Sequence, residues 1–128
     1  MRFLLDTHTL IWAVYDQEFL SSNVRQVLET PSNEAIVSAA SGWEIATKYR
    51  LGKLSSARIL AEDFMNVVTK SGYSLLAISP EHALRAGRLP GDHKDPFDRM
   101  LAAQAIHEDL TLLSNDSALD QFAIRREW

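Results

Sequence analysis

Short apolar runs that end in polar residues alternate along this chain with segments of helical spacing. Phe3-Leu4-Leu5 runs straight into Asp6, the pattern of a strand buried on both faces of a parallel sheet. Thr7 or Thr9 then offers an N-cap for a helix through Leu10 to Val14. Ser21-Ser22 opens a second helix, in which Val24, Val27 and Leu28 share one face before Thr30-Pro31 stops it. Ala35-Ile36-Val37-Ser38 reads as a second buried strand. Ser41-Gly42-Trp43-Glu44 starts the helix that carries Ile45, Ala46 and Tyr49 and closes near Gly52.

Ile59, Leu60, Phe64, Val67 and Val68 form a wide apolar face, which predicts a helix from about Ser56 to Lys70. Leu75-Leu76-Ala77-Ile78 is the third expected strand. Ser79-Pro80-Glu81 begins a short helix, with Ser as N-cap and Pro at its first position. Leu89 to Lys94 reads as an irregular loop. Asp95-Pro96-Phe97-Asp98 carries the strongest helix-start signal in the chain, and that helix runs to about Asp109. Leu110 to Ser114 is a fourth strand, a helical turn follows from Ser117, and Ala123-Ile124-Arg125 forms a last edge strand. This alternation predicts an α/β protein whose parallel sheet lies between helices. Right-handed crossovers then bring the strand carboxyl ends to one edge, where ligands bind in open α/β sheets.

Composition narrows the chemistry. The 128 residues suit a single domain with a real core, and 46% apolar and 23% charged residues are ordinary globular values. A net charge of −4 argues against a simple basic coat for nucleic acid. Four carboxylates in one metal site would contribute that much charge on their own, and bound cations would offset it. The absence of cysteine excludes a disulfide framework, a thiolate zinc site and a cysteine nucleophile. Asp6 and His8 interrupt the first apolar run, so no signal peptide is expected, and no stretch approaches the ~20 residues of a spanning helix. These features point to a soluble, cytoplasmic protein with no membrane partner.

The candidate chemistry lies in four acids. Asp6 and Asp116 follow strands one and four, and Glu44 and Asp98 fall near the starts of helices leaving the same edge. Each has a plain structural use. Asp6 suits a helix cap, Ser41-x-x-Glu44 spells a capping box, Asp98 complements a helix dipole, and Asp116 suits a turn. Asp95 reads as an N-cap, and Arg99 four residues on has the spacing of an ion-pair partner. Gathered in one crevice, four like charges would repel unless a hard cation such as Mg²⁺ or Mn²⁺ held them. Such a site suits phosphoryl chemistry. The sequence has no Gly-rich ATP loop and no strong nucleophile pattern, which leaves water-driven phosphodiester hydrolysis.

Four blocks carry a family resemblance over essentially the whole chain. They are Leu4-Leu5-Asp6-Thr7-His8-Thr9-Leu10-Ile11-Trp12, the stretch from Ser38 to Lys48 around Trp43-Glu44-Ile45, His93-Lys94-Asp95-Pro96-Phe97-Asp98-Arg99-Met100-Leu101-Ala102-Ala103-Gln104-Ala105, and Leu113-Ser114-Asn115-Asp116. In this order and spacing they resemble the PIN-domain ribonucleases, and among them the VapC-like toxins of type II toxin–antitoxin pairs. The resemblance implies a single PIN domain over residues 1–128, folded as a three-layer α/β/α sandwich with a central, mainly parallel four- to five-stranded sheet. It implies that Asp6, Glu44, Asp98 and Asp116 bind Mg²⁺ or Mn²⁺ and support RNA cleavage, with Asp6 and Asp98 the firmest direct ligands. Thr7 and Ser114 would assist metal waters, and His93 and Arg99 would orient the acids or touch phosphate. It also implies a homodimer and a cognate antitoxin.

Lys48, Arg50, Lys53 and Arg58 follow Glu44 with no intervening acid, and Arg85, Arg88 and Lys94 precede Asp98. These suit RNA phosphates, or simply a solvated face. Trp12, Trp43, Tyr49 and Phe64 suit a core, and some of them suit a homodimer face and an antitoxin groove, which the resemblance implies. Two other readings remain open, a small metal-dependent phosphatase and a non-catalytic PIN-like regulator. Asp6-Thr7-His8 lacks the second acid that an aspartate-nucleophile phosphatase wants two residues on, and the presence of all four acids weighs against the regulator.

Overall fold

The computed structural model describes residues 1–128. Strand β1 (Arg2–Leu5) lies at the centre of a five-stranded, wholly parallel sheet in the order β3-β2-β1-β4-β5, with β2 (Glu34–Ser38), β3 (Ser74–Leu76), β4 (Thr111–Leu113) and β5 (Arg125–Glu127). Leu5 is in register with Val37 on one side and Leu113 on the other. The next residues, Asp6, Ser38 and Ser114, therefore lie side by side at the carboxyl edge of the sheet.

Alternation along β1 builds a core on each side of the sheet. Phe3 and Leu5 join Leu10, Val24, Val37, Ile45, Leu60, Val68 and Leu113 on one face. That face is covered by α1 (Thr7–Tyr15), α2 (Ser22–Glu29), α4 (Arg58–Glu62) and α5 (Phe64–Lys70), with part of α3 (Ala39–Arg50). Leu4 turns the other way, to Ile36, Leu101, Ala102, Ala105, Leu112 and Phe122. The small alanines let α7 (Pro96–His107) lie close on that face, and α6 (Pro80–Arg88) packs against α7. Leu4 and Leu5 are wholly buried, and burial of each such side chain is worth about 1.5–3 kcal/mol. The result is the expected three-layer α/β/α sandwich.

Several boundaries differ from the sequence pattern, each for a local reason. Helix α3 begins at Ala39, two residues before the expected Ser41, because Ser38 caps it by accepting from the Ala40 N–H. Glu44 thus lies in the second turn, and the capping box read from Ser41 and Glu44 does not form. The expected helix over residues 56–70 is broken at Asp63, which has φ −137° and ψ 42° and joins α4 to α5. A 3₁₀ turn, Ser55–Ala57, precedes α4. Strand β3 ends at Leu76 rather than Ile78, and β5 begins at Arg125, where the expected strand ends. Trp43 is exposed instead of in the core and packs edge-on against Phe97 at 4.7 Å.

Candidate metal centre

Five carboxylates line one cavity of about 160 Å³ at the carboxyl edge of the sheet. They belong to Asp6, Glu44, Asp95, Asp98 and Asp116, and Thr7, His8, Lys48 and Asn115 complete the wall. No hydrophobic side chain lines it.

Asp6 caps α1, in place of Thr7 or Thr9. Its Oδ1 accepts from the Thr9 N–H at 2.7 Å, and the side chain is almost wholly buried. Two further bonds fix this corner to β4: the Asp6 N–H and the Thr9 hydroxyl both donate to the Leu113 carbonyl, at 3.1 and 3.0 Å. Thr7 donates to the Ser41 hydroxyl at 3.0 Å, tying α1 to α3. Glu44 is buried and accepts a hydrogen bond from the Lys48 ammonium one turn on. Burial by itself would lower the Lys48 pKa. The hydrogen bond to Glu44 and the charges of Glu44, Asp95 and Asp98 outweigh it and raise the pKa above the usual lysine value.

Asp95 caps α7, accepting from the N–H groups of Phe97 and Asp98 at 2.9 and 3.2 Å. Asp98 sits in the first turn and is bonded to His93. Burial raises its pKa above the ordinary carboxylate value, and the charges of Asp95 and Glu44 add to the rise. The hydrogen bond and charge of His93 oppose it. Asp116 is exposed and caps the 3₁₀ helix Ser117–Gln121 by accepting from the Ala118 N–H at 3.0 Å.

A wall without apolar side chains, in which five carboxylates supply most of the ligand atoms, fits a hard divalent cation. No three of the wall's carboxylate and imidazole ligand atoms lie within 4.8 Å of one another. That spacing suits Mg²⁺, which keeps several of its waters and takes one or two carboxylates directly.

A PIN-domain family model matches residues 3–125. The chain belongs to the PIN-domain family. No curated protein matches the sequence. Among solved structures, similar chains come from VapBC2 of Rickettsia felis bound to a fragment of its promoter DNA, FitAcB of Neisseria gonorrhoeae, and VapBC-1 of nontypeable Haemophilus influenzae. The Rickettsia chain is 18% identical with a TM-score of 0.70, and the match covers 100% of this chain and 99% of that one. The Neisseria chain is 18% identical with a TM-score of 0.63, covering 97% and 95%. The Haemophilus chain is 14% identical with a TM-score of 0.59, covering 99% and 97%. At these identities the likeness is one of fold, and the family match bears out the PIN-domain resemblance read from the four sequence blocks.

The supporting residues of this PIN domain divide between the cavity and its scaffold. His93 Nε2–H donates to Asp98 Oδ2 at 2.8 Å. Arg99 does not pair with Asp95. Its guanidinium donates to the carbonyls of Ala86, Leu89 and His93, so it holds the loop before α7. Ser114 is buried outside the cavity wall, and its hydroxyl accepts from the Asp116 N–H at 3.1 Å. Lys48 and Lys53 line a second cavity of about 210 Å³ that shares Thr7, His8, Glu44 and Lys48 with the first. Arg50 is exposed and borders neither.

His8, Asp95 and Asn115 also face the acidic cavity. Each is a sequence neighbour of a predicted acid, and that proximity was the available signal. Elsewhere, the ligand atoms of His82, His107 and Glu108 lie within 4.8 Å of one another. His82 Nδ1 accepts from the Ser79 N–H, so Nε2 carries the proton that Glu108 accepts, and this imidazole has no lone pair left for a metal.

Proposed function

We propose that this PIN domain is a Mg²⁺- or Mn²⁺-dependent endoribonuclease toxin that hydrolyses RNA phosphodiester bonds and is neutralised by a cognate antitoxin. The observation that carries the reading is the convergence of Asp6, Glu44, Asp98 and Asp116, from four separate stretches of chain, on one cavity without apolar lining.

Asp6 and Asp98 would hold the cation most directly, with Glu44 and Asp116 acting partly through water. When bound, the ion supplies a lowered pKa to an attacking water and positive charge beside the phosphate oxygens. The chain's own residues do the rest. Asp6 is aimed by its bond to the Thr9 N–H, which leaves Oδ2 without a protein hydrogen bond. Asp98 is aimed by His93. The cavity shared by Lys48 and Lys53 runs on from the acids and offers two ammonium groups to the RNA backbone. Arg50 stays a candidate contact on the exposed end of α3.

The antitoxin is read from the company the similar chains keep, since those structures are named as VapBC and FitAB assemblies, and the homodimer is what the family resemblance implies. This chain also exposes a surface suited to a partner. Ala39, Gly42, Phe64, Met65, Leu75, Leu76 and Ala77 line an apolar groove of about 340 Å³ along the β3 edge. No helix is long and apolar enough to cross a membrane, and the proposed site of action is the cytoplasm.

The test is cleavage of single-stranded RNA by purified, antitoxin-free protein. Mg²⁺ or Mn²⁺ should support it and EDTA should stop it. Asp6→Asn and Asp98→Asn should lower the rate on the order of 10²-fold or more with circular dichroism unchanged. A rate indifferent to chelation and to both substitutions would sink the proposal. Expression alone should slow growth, and the tagged wild-type protein should co-purify with a small partner when expressed from its own locus.

A further inference from the structure

The acidic cavity has one ammonium among its carboxylates. Lys48 Nζ bonds Glu44, and no other protein group accepts from it. The Glu44 side chain is 6% exposed while that of Lys48 is 33% exposed, so the acid is fixed in the wall and the lysine approaches from the mouth. An exposed pair with this i,i+4 spacing would be an ordinary helix-surface contact. Here the acid belongs to the proposed metal set, and Lys48 borders both the acidic cavity and the Lys53 cavity.

We propose that Lys48 is the resident counter-ion of the acidic cavity and that a divalent cation must displace it from Glu44. This rests on the metal-dependent reading above and adds a coupling to it. Without the cation, Lys48 offsets part of the crowding among Glu44, Asp95 and Asp98, whose charges all act on it. A lysine suits the role because its ammonium is a compact charge on a flexible stem, with no fork to lock onto one carboxylate. Once Glu44 turns to the cation, the ammonium is free beside Lys53, on the stretch proposed for RNA phosphates. Metal loading and capture of the RNA backbone are thereby linked, each favouring the other.

Calorimetric titration of the purified protein with Mn²⁺, in the absence of RNA, tests this. Lys48→Met should tighten Mn²⁺ binding about three- to tenfold, because the internal competitor is gone. Lys53→Met, which removes a charge from the neighbouring cavity but not from Glu44, should change the affinity less than about twofold. In a side-chain carbon–proton NMR titration with diamagnetic Mg²⁺, the Lys48 Cε signal, assigned by its loss in K48M, should shift as the site fills. Unchanged or weaker Mn²⁺ binding by K48M would overturn the proposal, as would equal tightening by K53M or a Lys48 signal that ignores Mg²⁺. Wild-type protein that binds no Mn²⁺ at all would remove the metal site itself, which separates the two failures.

Discussion

His93 stands between Asp98 and Gln121. Its Nε2 lies 2.8 Å from Asp98 Oδ2, and its Nδ1 lies 3.3 Å from the Gln121 side-chain amide. The amide N–H of Gln121 donates to Nδ1, which leaves the ring proton on Nε2 aimed at the carboxylate. Gln121 ends the 3₁₀ helix that Asp116 caps. One imidazole therefore links the segments carrying two of the four acids. His93→Ala should lower RNA cleavage about 10–100-fold, the usual cost of losing a partner that orients a metal ligand. Mn²⁺ affinity should fall with it while the far-ultraviolet spectrum stays unchanged.

Asp98 should cost the metal-free protein stability at neutral pH. Its folded-state pKa is raised, first by burial and then by Asp95 and Glu44. The penalty is absent below the unfolded-state pKa, where both states are protonated. It grows as pH rises from there through the raised folded-state value and is constant above. Urea unfolding in EDTA should find Asp98→Asn more stable than wild type at neutral pH, with the gap closing in acid. A constant gap across that range would refute the electrostatic account.

Arg99 should resist its conventional replacement. One guanidinium serves three carbonyls, one on α6 and two on the loop after it, and lies 5.8 Å from the Phe122 ring centroid. A lysine cannot span that fork. Arg99→Lys should destabilise the fold by about 1–3 kcal/mol in chemical denaturation. It should also reduce cleavage, because the His93 carbonyl is among the lost partners.

Gly91 should be replaceable only at a cost. Its φ is +104°, and a Cβ there would lie 2.8 Å from Gln121 Oε1. Gly91→Ala should destabilise by about 1–3 kcal/mol, chiefly from the backbone. The Gln121 side chain can move aside, and His93 then loses its second bond. Cleavage should drop further than the stability loss alone explains.

The central strands were legible because their apolar runs are short and end abruptly: Phe3-Leu4-Leu5 before Asp6, and Leu112-Leu113 before Ser114. The four acids were legible as a group because strand ends and helix starts share one edge in an alternating α/β chain. Helix α3 hid its start, since Ser38 closes β2 and caps α3 with no break between them. The break at Asp63 was invisible because the apolar spacing continues through it. Arg99 looked like a phosphate or carboxylate ligand. Only the fold brings the carbonyls of Ala86, Leu89 and His93 within its reach. The His93–Gln121 contact joins positions 28 residues apart, and neither local propensity nor periodicity encodes such a pair.

The placement of β1 in mid-sheet also sets a timetable. Asp6 is the first of the acids to be synthesised and Asp116 the last, and β4, whose pairing with β1 carries Asp116 to the shared edge, is made only just before it. A growing chain thus holds an incomplete set of acids until Asp116 has been added. Under the proposed activity, a nascent chain that has not yet delivered Asp116 lacks one corner of the cavity, and an antitoxin need only meet the chain from that point on.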